Sequence, residues 1–417
     1  MVSSGSDHYR KLQLVDITGP CSPLGKASLS LHEILLQEEL RVRSIQSTIN
    51  KQSPLGLGDS KTKVPIKSGH LLGTSNYIVK IGMGTPKQDF WVNIDTGSSL
   101  SWVRCQPCTN CSSIPTFAPS RSSSYSPFAC RTPQCSPVYT ATGHSPSCNS
   151  SCLYEVHYND GGFSKGVFGK ETLRITPSDV FPNFQFGCGN QNSFPDSTSG
   201  VLAFGRNQVS LVSQTTRKFG KVFSYCFPRT DTSYGYLALG KQPSTTSAVK
   251  YTKLVTDSHS PNYYFIPLIG ISVGGKRLSL SPSVFTKPGT VIDSGTVVSR
   301  LPPLAYTILR SEFRRAMSNY PSAPPQAILD TCYNLSRNAT VNVPPVMLHF
   351  GGGTDVQLDP FSGVLVKLDA SIYCLGFAPN QNQTDVGILG NLQQRTYEVV
   401  YDLPQARIGF RAVGINC

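Results

Sequence analysis

The sequence predicts an all-β chain folded into two similar lobes, and three observations predict it. The chain of 417 residues is too long for one small core. Its 36 glycines and 31 prolines break it into short β-branched and aromatic runs, the composition of strands and turns. One strand-and-turn pattern also occurs twice, far apart in the chain.

Taken in order, residues 1–70 differ from the rest. Leu31, Ile34, Leu35, Val42, Ile45 and Ile49 form a helical stripe, and Ser30 with Glu33 has the spacing of a capping box. The polar stretch Lys51–Lys63 reads as a cleavable linker. The segment is therefore expected to be a propeptide, its basic and apolar residues covering an acidic cleft. From Asn76 the pattern turns to strands, with Tyr77–Gly82 and Phe90–Ile94 bracketing a Gly84–Pro86 turn. Residues 71–245 are expected to form the first lobe and residues 246–417 the second.

The repeat carries the chemistry. Val92-Asn93-Ile94-Asp95-Thr96-Gly97-Ser98 returns 198 positions later as Thr290-Val291-Ile292-Asp293-Ser294-Gly295-Thr296. Each copy is an apolar strand ending in Asp, a hydroxyl residue, Gly and a second hydroxyl residue. Each has an apolar pair and a small residue downstream, Val201-Leu202-Ala203 and Ile388-Leu389-Gly390. Two such turns meeting at a pseudo-twofold axis bring two carboxylates face to face. Like charges that close cannot both ionise easily, so one proton is shared and the pair holds a general base and a general acid together. Such a pair can activate water against a peptide carbonyl. Asp95 and Asp293 are the candidate catalytic residues. Gly97 and Gly295 let backbone amides approach the carboxylates and tolerate unusual φ. Ser98 and Thr296 are expected to donate hydroxyls to the outer carboxyl oxygens, and Thr96 and Ser294 to lock the two loops together.

With these residues in view the chain resembles the pepsin-like aspartic proteases, and among them the plant nepenthesin-like branch. The resemblance covers residues 76–417. It rests on the two Asp turns, Gly82-Met83-Gly84-Thr85-Pro86, Arg300-Leu301-Pro302, Ile388-Leu389-Gly390-Asn391 and Ile408-Gly409-Phe410; Gly19–Leu24 resembles the branch's propeptide. It implies the bilobal pepsin-like fold with a central cleft. It also implies an aspartic endopeptidase made as a zymogen and active in acid. Tyr158-Asn159-Asp160-Gly161-Gly162 resembles the flap hairpin, so Tyr158, Asp160 and Gly161 are expected over the substrate, with Trp102 supporting the tyrosine. Gly162 stands where the branch has Ser, and Ala203 where it has Gly, so catalytic vigour is in question at both. The rival expectation is a pepsin-fold protein that binds or inhibits instead of cutting.

The cysteines agree with an oxidising compartment. Setting Cys21 aside leaves twelve of the thirteen, an even number. The resemblance implies Cys226–Cys417 and Cys332–Cys374, and pairing of Cys105, Cys108, Cys111, Cys130, Cys135, Cys148, Cys152 and Cys188 within the first lobe. Cys105-x-x-Cys108-x-x-Cys111 also has zinc-like spacing, but the insert holds only His144 beside it. No metal and no cofactor are expected. Asn110, Asn149, Asn334, Asn338 and Asn382 are glycosylation sequons. Met1–Pro20 lacks the apolar core of a secretory signal, so a missing leader is expected. The expected destination is the secretory pathway, apoplast or vacuole, with a plastid still open. The net charge of +13 is scattered without a Lys/Arg block, which argues against nucleic acid as a partner. No apolar run is long enough to span a membrane. Polypeptide substrates and a monomer are the remaining expectations.

Overall fold

The computed structural model describes residues 10–17, 19–23, 31–51, 77–109, 111, 114–158, 162–193, 198–229, 233–241, 249–287, 289–336, 340–368 and 370–413. Strands dominate it. The expected Lys51–Lys63 linker beyond Lys51, the Ser30 cap and Cys417 lie outside the described residues.

Each Asp turn is mounted the same way. In the first lobe, strand Gln88–Asp95 runs parallel to Gly200–Ala203, which places Ala203 beside Asp95. Gly200–Ala203 also pairs antiparallel with Trp102–Thr109. In the second lobe, Thr290–Ile292 runs parallel to Gly387–Leu389, and that strand pairs antiparallel with Ser299–Leu301. These inner strands are buried along the stretch that leads to each Asp. The parallel extends to single bonds. The Ala203 amide donates to Ser101 Oγ at 2.9 Å, and the Gly390 amide donates to Ser299 Oγ at 2.9 Å. A Cβ on Gly390 would stand 2.6 Å from the Val297 carbonyl oxygen, so this copy requires glycine, whereas the Ala203 methyl is fully buried in its own strand.

The lobes share a sheet. Val222–Cys226 pairs with Tyr397–Asp402, and Tyr397–Asp402 with Arg407–Ala412, so chain from both halves interleaves. Strand Arg10–Asp16 lies between Gly235–Leu239 and Tyr77–Met83. One apolar core runs through both halves, from Tyr77 and Phe90 to Tyr401 and Phe410.

The helix predicted over Ser30–Ile49 forms over Leu31–Lys51. Val42, Ile45 and Ile49 pack on Tyr263, Phe265, Val291, Val386 and Ile388. Leu35 packs on Val297, Val298 and Leu392. Burying each such side chain is worth about 1.5–3 kcal/mol. The helix therefore docks along the second lobe, over the strands that carry Asp293.

In the first lobe the cysteines pair as Cys105–Cys188, Cys108–Cys111, Cys130–Cys148 and Cys135–Cys152, and in the second as Cys332–Cys374. The Cys105-x-x-Cys108-x-x-Cys111 run is thus divided between two disulfides. Cys21 stays outside these disulfides.

Candidate active site

Asp95 ends its strand and Asp293 directly follows its own, so both carboxylates emerge at one level between the lobes. Each carboxylate is anchored by the amide two residues on: Gly97 N donates to Asp95 Oδ1 at 2.8 Å, and Gly295 N to Asp293 Oδ1 at 3.0 Å. The two turns lock reciprocally. Thr96 N donates to Ser294 Oγ at 3.0 Å, and Ser294 N to Thr96 Oγ1 at 2.9 Å. Below them Gln394 Nε2 donates to the Asp293 carbonyl at 3.2 Å, and Asn391 Nδ2 to the Ser294 carbonyl at 3.0 Å.

Two expectations need correction. Neither Gly97 nor Gly295 has a left-handed φ. What requires glycine is proximity across the axis. A Cβ on Gly97 would meet Asp293 Oδ1 at 2.7 Å, and one on Gly295 would meet Asp95 Oδ1 at 2.7 Å. The hydroxyl pair is also unequal. Thr296 Oγ1 donates to Asp293 Oδ2 at 2.6 Å, whereas Ser98 Oγ makes only a looser contact with Asp95, which still helps to hold that carboxylate low. The Asp95 oxygen it was expected to serve faces a different donor, Arg41 Nη1, at 3.3 Å.

Arg41, from the N-terminal helix, is the residue the sequence reading missed. Its Nη2 lies 2.8 Å from Asp95 Oδ1 and 3.0 Å from Asp293 Oδ2, and its Nε lies 3.3 Å from Asp293 Oδ2. The Arg41 side chain is 8% exposed and the two carboxylates 3% and 0%. Water therefore screens this contact little, and charge pairing is strong. Burial pushes Asp95 up, but the Arg41 charge and the hydrogen bonds from Arg41 and Gly97 outweigh it and hold Asp95 below the ordinary carboxylate range. Burial likewise pushes Asp293 up. There the Asp95 charge adds to burial, and the pair wins over Arg41, so Asp293 is raised. Opposite shifts are what two adjacent carboxylates sharing one site produce.

The signal for Arg41 was present in the stripe. Leu35, Glu38, Val42, Ile45 and Ile49 recur at helical spacing, and Arg41 falls on that same face, three residues from Glu38. Two charges on a buried face need partners. Glu38, fully buried, accepts from Val297 N at 2.7 Å and Val298 N at 2.9 Å. Gln46 imitates a backbone amide: its Nε2 donates to the Val386 carbonyl and its Oε1 accepts from the Val386 amide, both at 2.8 Å.

The flap residues are partly described. Strands Cys152–Tyr158 and Gly162–Thr176 form a hairpin with Tyr158 opposite Gly162 at its tip. The Tyr158 side chain, Asp160 and Gly161 lie outside the described residues. Trp102 is buried with Tyr154, Val156 and Phe168 at the base of this hairpin. Between hairpin, helix and Asp95 remains a cavity of about 80 Å³, lined by Ile45, Thr140, Val156 and Tyr263 among others.

Two lobes, each presenting an Asp-hydroxyl-Gly turn to a shared cleft, define the aspartic protease fold class. Comparison with known proteins agrees. A profile described as "Xylanase inhibitor N-terminal" matches residues 77–241, and one described as "Xylanase inhibitor C-terminal" matches residues 263–412. The chain is 42% identical over 409 residues to an "Aspartyl protease family protein" of Arabidopsis thaliana, covering 95% of this chain and 86% of that one. It is 33% identical to "Aspartic proteinase nepenthesin-2" of Nepenthes gracilis, over 89% of this chain and 83% of the relative. Among solved structures, "Basic 7S globulin from soybean" aligns with a TM-score of 0.65 at 22% identity, over 82% of this chain and 95% of that one. That likeness shows the fold. The chain belongs to the plant nepenthesin-like aspartic proteases of the pepsin family.

Proposed function

We propose that this chain is the zymogen of an aspartic endopeptidase, with Asp95 and Asp293 as its catalytic pair and Arg41 as the group that silences it. One observation carries the reading: a single buried guanidinium bridges both carboxylates. With Arg41 in place, its guanidinium engages both carboxylates and stands where the attacking water would have to bind between them. The helix also fills the space an extended peptide would take. Once it leaves, water can bind between the pair, which shares a proton as in aspartic proteases generally. One carboxylate then takes a proton from water as the other protonates the peptide carbonyl oxygen.

Peptide substrates that lie extended in the cleft follow from this reading. Gln46 already occupies both hydrogen-bonding groups of Val386, as a substrate backbone amide would. Tyr158, Asp160 and Gly161 would close over the peptide. The relatives' names and the disulfides among the described residues support passage through the secretory pathway, and no helix among the described residues is long and apolar enough to cross a membrane. Both Asp turns are whole and mutually locked, which favours cutting over the binder reading.

The test is acid treatment of the full chain, followed by digestion of a denatured protein with and without pepstatin. Cleavage blocked by pepstatin, with the N-terminal segment removed, is expected; Asp95→Asn and Asp293→Asn should abolish it while leaving the far-UV spectrum unchanged. Cleavage that persists in either variant refutes the pair. An active form that retains residue 41 refutes the zymogen.

A further inference from the structure

Arg300 is 2% exposed and sits on strand Ser299–Leu301, which the second-lobe sheet holds in place. Its Nη1 donates to Glu39 at 2.8 Å, and its Nη2 lies 3.5 Å from Glu38. Its Nε and Nη2 make no hydrogen bond among the described residues. Both carboxylates that reach it belong to the N-terminal helix. So does the group serving the Val297 and Val298 amides, since Glu38 accepts from both. When the helix leaves, one spot in the cleft therefore loses its partners at three places: two consecutive N–H groups and a largely buried cation. A buried cation without a partner is costly, and a vacated site of this kind recruits an anion.

We propose that Arg300 with the Val297 and Val298 amides forms a carboxylate subsite of the mature enzyme, which selects substrates carrying Asp or Glu close to the bond cut. The inference rests on the proteolytic reading above. Its place follows from the helix. Glu38 precedes Arg41 by three residues on one face, so the subsite lies about 5 Å along the cleft from the two aspartates. An extended peptide advances ~3.3 Å per residue, which puts the acidic side chain within about two residues of the scissile bond. A glutamine there would leave one amide hydrogen facing the Val297 or Val298 amide, donor against donor, whereas a carboxylate accepts from every donor present.

Burial is the largest influence on Glu38 in the latched form and pushes it up to about 7, because the helix seals it from water. In the open cleft that desolvation falls away while the guanidinium and the two amides remain. The subsite therefore favours an ionised side chain once substrate replaces helix.

The experiment uses the processed chain at pH 6 and labelled octapeptides in matched pairs. The pairs differ only by Glu against Gln, placed in turn at the two positions on either side of the scissile bond. Both kcat/KM and binding by fluorescence anisotropy are measured. At one position Glu is expected to outdo Gln by roughly tenfold or more, the scale of a charge-assisted hydrogen bond. In Arg300→Gln the ratio should fall to about twofold or less. Equal behaviour of every pair overturns the subsite. Cleavage of the all-Gln peptide reports separately on the proteolytic reading; were nothing cut, anisotropy would still decide the subsite. Should Arg300→Gln not fold, a synthetic peptide of residues 31–51 and its Glu38→Gln form are compared at pH 8, where Glu38 is ionised even when docked, as competitors of the processed wild type. Roughly tenfold weaker competition by the Glu38→Gln form supports the subsite, and equal competition refutes it.

Discussion

Replacing Arg41 by Met keeps an unbranched stem and removes the guanidinium, which isolates the electrostatic part of the latch. The side chain is 8% exposed and its partners 3% and 0%, so solvent offers little compensation. Removing one partner of a buried pair costs about 3–5 kcal/mol. Here the two carboxylates left behind can relieve each other by sharing a proton, which places the loss near the low end, about 3 kcal/mol. At 1.4 kcal/mol per tenfold, that opens the latch by roughly a hundredfold or more. The assay is the initial rate of the intact chain on a neutral fluorogenic peptide at pH 5, before processing, with the processed protein as ceiling. The wild-type chain should be nearly silent and Arg41→Met should approach the ceiling. If the Arg41→Met chain stays as silent as wild type while both processed forms cut, Arg41 is not the latch.

The remaining predictions concern pH, the axis and a staple. Asp95 is held below its ordinary 3.8, so its contribution to helix docking is complete above that value and is lost as pH falls through the lowered one. Glu38, raised from 4.5 to about 7, works in the opposite sense: its contribution is complete below 4.5 and is lost as pH rises through about 7. Protection of the helix from an added protease should therefore be greatest near pH 4 and decline from about pH 4.5 to 7, and protection that changes in one direction across pH 3–8 contradicts the assignment. In the processed chain, where Arg41 no longer stands in the way, Gly295→Ala would set a Cβ 2.7 Å from Asp95 Oδ1, forcing the loops apart at about 1–3 kcal/mol and depressing kcat, measurable by thermal melting and peptide cleavage. Cys332→Ser opens a disulfide of sequence separation 42, and chain entropy predicts a loss of about 4 kcal/mol in denaturant unfolding, with peptide selectivity unchanged.

Much of the fold was legible because it repeats. Two apolar strands ending in Asp turns, each with a downstream apolar pair, describe the same two-sided strand pairing, and both pairings form. The reciprocal Thr96–Ser294 lock was readable from hydroxyl residues at matching positions. What pattern could not reveal was contact across the axis. The need for glycine at 97 and 295 arises from the opposite carboxylate, far away in sequence, and at 295 also from Arg41, whose Nη2 lies 2.1 Å from where a Cβ would stand. Ser98 shares its expected place, still helping to lower Asp95 while Arg41, a donor from another segment, faces the same carboxylate. Arg41 and Glu38 look like ordinary surface charges until their helical phase is compared with Leu35, Val42 and Ile45.

That phase ties inhibition to recognition. The helix presents its charges to the second lobe in complementary order: Glu38 and Glu39 to Arg300, then Arg41 to the two aspartates. Its apolar residues meet Val291, Val386 and Ile388 beside them. Any ligand that displaces the helix meets the same sequence of surfaces, a cation and two amides, then the carboxylate pair, then an apolar floor with an unmet backbone amide at Val386. A helix that must hold such a cleft shut is constrained to carry the cleft's electrostatic complement. Its sequence therefore reports what the open cleft prefers: an acidic side chain about one helical turn from the bond to be cut.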